Sequence, residues 1–177
     1  CPDVILLDVN LPDGDGLTAV PEIKRICPEV HILVFTSLAD EKTLLRAIDT
    51  GVSGFVAKSR PLSEVLDAIR LAANGEIVMP SSLLMGLVAR VSRARSSAGV
   101  DPDSPGAAML TRREREVLKR MARGQSAPEI AETLNIKTHT VRTHIRNLMG
   151  KLGVHSRLEA VMLALRLGLI DAHNGTV

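Results

Sequence analysis

A chain of 177 residues, 45% of them hydrophobic, is long enough for one large domain or two small ones with buried cores. It has no Trp or Tyr, and Phe35 and Phe55 are its two aromatic residues. That excludes the stacking platforms on which proteins read RNA and single strands, and no apolar run approaches the ~20 residues of a membrane span. The net charge of +2 conceals an asymmetry: residues 1–80 carry seven Lys/Arg against twelve Asp/Glu, and residues 81–177 carry fifteen against eight. An acidic half joined to a basic half implies two domains with different partners, nucleic acid suiting the basic one. No signal peptide is visible, and Cys1 and Cys27 lack metal-site spacing, so they read as isolated thiols of a reducing cytoplasm. The first residue is Cys rather than Met, so the sequence reads as a fragment.

Val4–Leu7 is a short apolar run ending at Asp8, suited to a buried parallel strand. A turn rich in Pro, Asp and Gly follows at 11–16. Residues 17–26 have helical spacing, with Val20, Ile23 and Ile26 inward. His31–Phe35 is a second strand, and a helix from Asp40 to Asp49 follows. Gly54–Ala57 is a third strand, and a third helix runs over 61–73 with Pro61 at its start. Alternating strands and helices predict an α/β doubly wound parallel sheet, with its functional crevice at the carboxyl ends of the strands.

Asp8, Thr36 and Lys58 stand at those three ends. A carboxylate nucleophile, a hydroxyl to hydrogen-bond a phosphoryl oxygen and an ammonium to offset its charge together suit an aspartyl-phosphate site. By composition alone, a satisfied surface Asp, a strand-end Thr and a solvated Lys explain the same residues more readily.

Ser81–Arg95 predicts an amphipathic helix with Leu84, Leu87, Val88 and Val91 on one side, and residues 96–107, rich in Ser, Gly, Pro and Asp, a flexible linker. Thr111 and Glu114 have capping-box spacing and open a helix to Arg123, with Val117, Leu118 and Met121 inward. Ser126 and Glu129 repeat the box before a helix carrying Ile130, Ala131 and Leu134. After a break at 135–137, a helix over 138–151 places Val141, Ile145, Leu148 and Leu152 on one face. The opposite face carries His139, Arg142, Thr143 and Arg146, the two arginines four apart and so on one side. Helix, sharp turn and a second helix with a basic stripe fit a helix-turn-helix; periodicity alone fits a hairpin inside a bundle equally well. Ser156 caps a last helix carrying Val161 and Leu165, which by spacing are as consistent with core as with an exposed stripe.

Two resemblances sharpen this. Residues 110–170, with LTRREREVL, TVRTH, KLGVHSRLEAV and the closing GLI, resemble the LuxR-type DNA-binding domain of NarL/FixJ-family response regulators. The resemblance implies an all-α four-helix helix-turn-helix domain that binds double-stranded DNA. Arg112 would meet phosphates, His139, Arg142, Thr143, Arg146 and Lys151 would belong to the DNA-binding surface, and Val161 and Leu165 would pair two domains into a homodimer. Where the family has Ser before the recognition helix this chain has Lys137, so Thr138 is the candidate cap. DVILLDVNLPDGDG, VFTS and GFVAK resemble the second part of a receiver domain. That resemblance implies Asp8 as phosphoacceptor, Thr36 as switch hydroxyl, Phe55 as switch aromatic and Lys58 as phosphate contact. Mg²⁺ would be bound by Asp8 and the Asn10 carbonyl together with an acidic pair that would lie before Cys1.

The reading is therefore a partial receiver at 1–75, a linker with a helix at 76–109 and a LuxR-type domain at 110–177. The protein is expected to be a cytoplasmic two-component transcription regulator, not an enzyme, phosphorylated on Asp8 by a sensor histidine kinase. The rivals are a phosphorylation-independent transcription factor with a truncated receiver and a phosphatase-like hydrolase using Asp8 and Lys58. Against the hydrolase, no further acid, base or substrate-sized Gly-rich loop lies near those residues.

Overall fold

The computed structural model describes residues 1–12, 14–37, 41–97 and 110–170. By internal packing the chain forms two compact units, Cys1–Met79 with His155–Glu159, and Pro80–Val154 with the residues from Ala160.

In the first unit, β1 (Val4–Asp8), β4 (His31–Thr36) and β5 (Gly54–Ala57) form a parallel sheet in the order β1-β4-β5. The short strands β2 (Asn10–Leu11) and β3 (Gly14–Asp15) pair antiparallel beside it. The register sets Asp8 opposite Phe35 and Thr36 opposite Ala57, so the three carboxyl ends lie side by side. Strand residues alternate between faces. Leu33 and Val56 pack with Val65, Ala68 and Ala72 of α3 (Leu62–Ala73), while Ile32 and Val34 point to the other face and are fully buried. The connections through α1 (Val20–Ile26) and α2 (Glu41–Asp49) step the same way along the sheet, and the right-handed rule for such crossovers assigns both helices to that second face. The sheet is thus doubly wound, as expected.

Several local expectations are corrected. Pro21 cannot donate a backbone hydrogen bond, so the expected helix over 17–26 splits into a 3-10 turn (Gly16–Ala19) and α1, with Pro21 in its first turn. Ile26 ends α1 and is 62% exposed rather than inward. Cys1 and Cys27 are joined in a disulfide, where two separate thiols were expected. The expected start of α2 at Asp40, and the linker over 98–107, lie outside the described residues.

The second unit is all-helical: α4 (Ser81–Ser97), α5 (Arg112–Met121), α6 (Ala127–Leu134), α7 (Thr138–Leu152) and the part of α8 (Arg157–Arg166) from Ala160 onward. Leu84, Leu87 and Val88 of α4 are buried as their spacing predicted. α7 packs on both α5 and α6. Val117, Leu118, Ile130, Val141, Ile145 and Leu148 supply a core in which each helix is amphipathic and none is self-sufficient.

Candidate functional site

In the first unit the sheet delivers its polar residues to one crevice. Lys58 follows β5, and its backbone N–H donates to the Thr36 carbonyl at 2.8 Å, which locks the two strand ends together. From there Lys58 Nζ reaches Asp8 Oδ2 at 2.5 Å. Asp8 Oδ1 accepts the Asn10 N–H at 3.0 Å. The Lys58 contact first, and the Asn10 N–H second, hold the Asp8 carboxyl below its ordinary value. Asp8 is therefore an ionised carboxylate already facing a cation. Thr36 and Phe55 are both 7% exposed, at the end of β4 and within β5. The ring nearest Lys58 is a different one, Phe35, with its centroid 6.0 Å from Nζ. Its spacing offers no reason to single it out.

The loop after Asp8 is held tightly. Gly16 N–H donates to the Val9 carbonyl at 2.8 Å. A Cβ at Gly16 would lie 2.1 Å from the Asp8 carbonyl oxygen, so only glycine lets the backbone pass this close to the end of β1. Asp15 accepts from Leu17 N–H at 3.0 Å and pairs with Arg46 at 2.5 Å.

Those contacts bear on Mg²⁺. The expected ligands present are Asp8 and Asn10, and the Asp15 carboxylate is committed to Leu17 and Arg46. Among the described residues no group of three or more His, Cys, Asp or Glu side chains is disposed to hold a metal. The described donors therefore do not make up the site a hard octahedral cation needs.

In the second unit both capping boxes form. At the first, Glu114 N–H donates to Thr111 Oγ1 at 3.2 Å while Glu114 Oε2 accepts from Thr111 N–H at 2.8 Å. At the second, Glu129 Oε2 accepts from the Ser126 N–H and hydroxyl at 2.7 and 2.6 Å. The turn between α6 and α7 passes through Asn135 in the left-handed region, φ 49°. Ile136 N–H then closes back on the Ala131 carbonyl at 3.0 Å. Lys137, not Thr138, occupies the cap of α7, and no side chain bonds there. Lysine has no short acceptor, so the helix start is held by packing on α5 and α6 instead.

α7 buries Val141, Ile145 and Leu148 and leaves His139, Arg142, Thr143, Arg146 and Lys151 exposed. The Thr143 hydroxyl turns back to the His139 carbonyl at 3.0 Å. Arg112 is exposed in the first turn of α5. Between α5 and α7 lies an open groove of about 670 Å³, lined by residues that include Thr111, Glu114, Arg146, Asn147 and Lys151. Lys151 pairs with Glu114 at 2.7 Å. Burial pushes the Glu114 carboxyl up, but Lys151 and Thr111 together outweigh it and leave the group below its ordinary value. That pairing was not legible from spacing. Val161 and Leu165, expected on a pairing surface, are 0% and 1% exposed. They are core residues, and the expectation of an exposed stripe there is corrected.

Comparison with known proteins identifies the family. Residues 1–70 match the model of the response regulator receiver domain, and residues 108–164 that of bacterial regulatory proteins of the luxR family. The chain is 35% identical over 170 residues to the response regulator protein VraR of Staphylococcus epidermidis, covering 96% of this chain and 77% of that protein. It is 34% identical, with the same coverage, to VraR of Staphylococcus aureus. The crystal structure of response regulator ChrA, from a heme-sensing two-component system, aligns over 95% of this chain and 77% of its own at 28% identity and a TM-score of 0.40. A receiver joined to a helix-turn-helix unit defines a two-component regulator that acts on DNA. The chain belongs to the NarL/FixJ-type response regulators, and it is a DNA-binding transcriptional regulator. Among the described residues no helix is long and apolar enough to cross a membrane.

Proposed function

We propose that Asp8 is the phosphoacceptor and that its phosphorylation controls DNA binding. The observation that carries this reading is the Asp8–Lys58 contact at the carboxyl ends of adjoining strands, with Thr36 beside it. An ionised Asp8 oxygen forms the new O–P bond as the P–N bond of a sensor histidine kinase's phosphohistidine breaks and the imidazole leaves. The acyl phosphate carries about −2 where the carboxylate carried −1, a net gain of about one negative charge. Lys58 offsets that charge, Thr36 donates to a phosphoryl oxygen and Phe55 repacks with it. Together these changes bias a two-state receiver. The regulator acts in the cytoplasm as a homodimer on two half-sites. Its α7 enters the major groove, with Arg142, Thr143 and Arg146 at base edges, and His139, Arg112 and Lys151 lie on the surrounding surface. Mg²⁺ would be held in a receiver where an acidic pair joins the donors that Asp8 and Asn10 supply.

The test is labelling of the response regulator, with the acidic metal donors of its receiver present, by acetyl phosphate and Mg²⁺. Stoichiometric label that disappears in Asp8→Asn, together with tighter binding to operator DNA, is the expected result. DNA binding with no label on the wild type would favour the phosphorylation-independent alternative. Rapid turnover of the phosphodonor would favour a hydrolase.

A further inference from the structure

The loop that follows the acceptor is tied to the helix that follows Thr36. Asp15 lies opposite Asn10 in the β2-β3 pair, and Asn10 donates to Asp8. One Asp15 oxygen accepts from Leu17 N–H, its carbonyl accepts from the Thr18 hydroxyl at 2.7 Å, and Gly16 beside it is bonded to Val9. Asp15 is therefore fixed to the acceptor loop at several points. Its second oxygen meets Arg46 Nη2 at 2.5 Å, and Arg46 stands in the last turn of α2. The other side of α2 is anchored by Leu44, Ala47 and Ile48, all buried. The Arg46 and Asp15 side chains are 54% and 30% exposed, so the pair is a weak, breakable contact set on an otherwise well-packed helix.

We propose that the Asp15–Arg46 ion pair is a latch that holds α2 to the acceptor loop in the unphosphorylated receiver, with Arg46 as a positioning residue. The proposal rests on the reading of Asp8 as phosphoacceptor for its regulatory meaning. A phosphoryl group on Asp8 brings negative charge to the same loop. That charge competes with Asp15 for the guanidinium, so a local charge change is passed to the helix beyond Thr36. A partly exposed pair of this kind biases an equilibrium by at most about fivefold, which suits a switch that one phosphoryl group must throw.

Amide hydrogen exchange on the response regulator tests the latch. With no phosphodonor, Arg46→Gln and Asp15→Asn should each speed exchange across Glu41–Asp49 by about three- to fivefold. Asn at position 15 keeps an oxygen for Leu17 N–H, so that variant removes the charge and not the turn. The double variant should exchange no faster than either single one, and Arg46→Lys should stay within about twofold of wild type. The differences should narrow at high salt. Acetyl phosphate should raise α2 exchange in the wild type toward the level of Arg46→Gln and leave that variant unchanged. Independent, additive effects of the two substitutions, no effect of either, or labelled wild type with unchanged α2 exchange would each overturn the latch. If Asp8 takes no label at all, the phosphoacceptor reading fails, and the resting-state exchange still decides the latch by itself.

Discussion

A single oxygen of Glu114, Oε2, gathers Lys151 Nζ at 2.7 Å, Thr111 N–H at 2.8 Å and Thr111 Oγ1 at 2.9 Å. A residue that reads in the sequence as half of a capping box is also the tie between the first turn of α5 and the last turn of α7. Glu114 is 3% exposed, so its charge is tolerable only because those donors are in place. The same tie accounts for Lys151: its ammonium, in the last turn of α7, is held by a carboxylate of α5.

Glu114→Ala is therefore expected to destabilise the helical unit by about 2 kcal/mol, combining a lost cap with a broken ion pair whose other member remains partly solvated. Lys151→Ala should cost less, about 1 kcal/mol. Urea midpoints of the two variants against wild type check the order, and a larger loss for Lys151→Ala would contradict it. The folded-state pKa of Glu114 lies below its ordinary value of 4.5. Its contribution is thus complete above that value and is lost as the pH falls through the lower folded-state value. Glu114→Gln should flatten the stability profile in that acid range and leave its shape unchanged near neutrality.

The Asp8–Lys58 contact makes a separate prediction. The Asp8 carboxyl should titrate below 3.8 in the wild type and move back toward 3.8 in Lys58→Ala, because Lys58 is the largest cause of the depression. Carboxyl carbon NMR across an acid titration measures it. An unchanged Asp8 titration in Lys58→Ala would show that the Asn10 N–H alone sets it.

The strands were legible because β1, β4 and β5 are short apolar runs closed by polar residues, and burial on both faces of β4 and β5 leaves a continuous pattern. The capping boxes were legible because both partners lie three residues apart. What escaped was set by distance or by competition. The periodicity of α1 continues to Ile26, but the helix stops there, so the pattern named a face that nothing covers. Val161 and Leu165 show the converse: spacing reports that two residues share a side and says nothing about what lies against it. The Asp15–Arg46 and Glu114–Lys151 pairs join residues 31 and 37 positions apart, and the Cys1–Cys27 bridge spans 26. No local pattern encodes such meetings.

Val161→Asp follows from that correction. A carboxylate at a fully buried position with no partner costs several kcal/mol. The substitution should unfold the helical unit rather than merely separate two copies of it. Circular dichroism melting of the variant decides the matter, and a folded, DNA-binding, non-associating variant would restore Val161 to the pairing surface.

Asn135 tests the turn. At φ 49° a β-branched residue is strained by roughly 1–2 kcal/mol, whereas glycine is not. Asn135→Val should lower stability by that amount and loosen DNA binding by misplacing α7. Asn135→Gly should stay within a few tenths of a kcal/mol of wild type, and equal losses in the two variants would remove the backbone explanation.

The last prediction separates two kinds of DNA contact. Arg142 and Arg146 are exposed on one side of α7, and Arg146 also lines the groove beside α5. An arginine bidentate to guanine is the commonest specific contact, and its loss costs about 1–3 kcal/mol of discrimination. Arg112 stands in the first turn of α5, where a phosphate is the natural partner. Arg146→Ala should relax preference at one or two base pairs in each half-site. Arg112→Ala should weaken all sequences about equally and flatten the salt dependence by roughly one unit of slope. Binding to specific and scrambled duplexes across a salt series distinguishes them. If Arg146→Ala weakened both duplexes by the same factor, Arg146 would be a phosphate contact. The reading surface would then have to be sought nearer the start of α7, around His139 and Arg142.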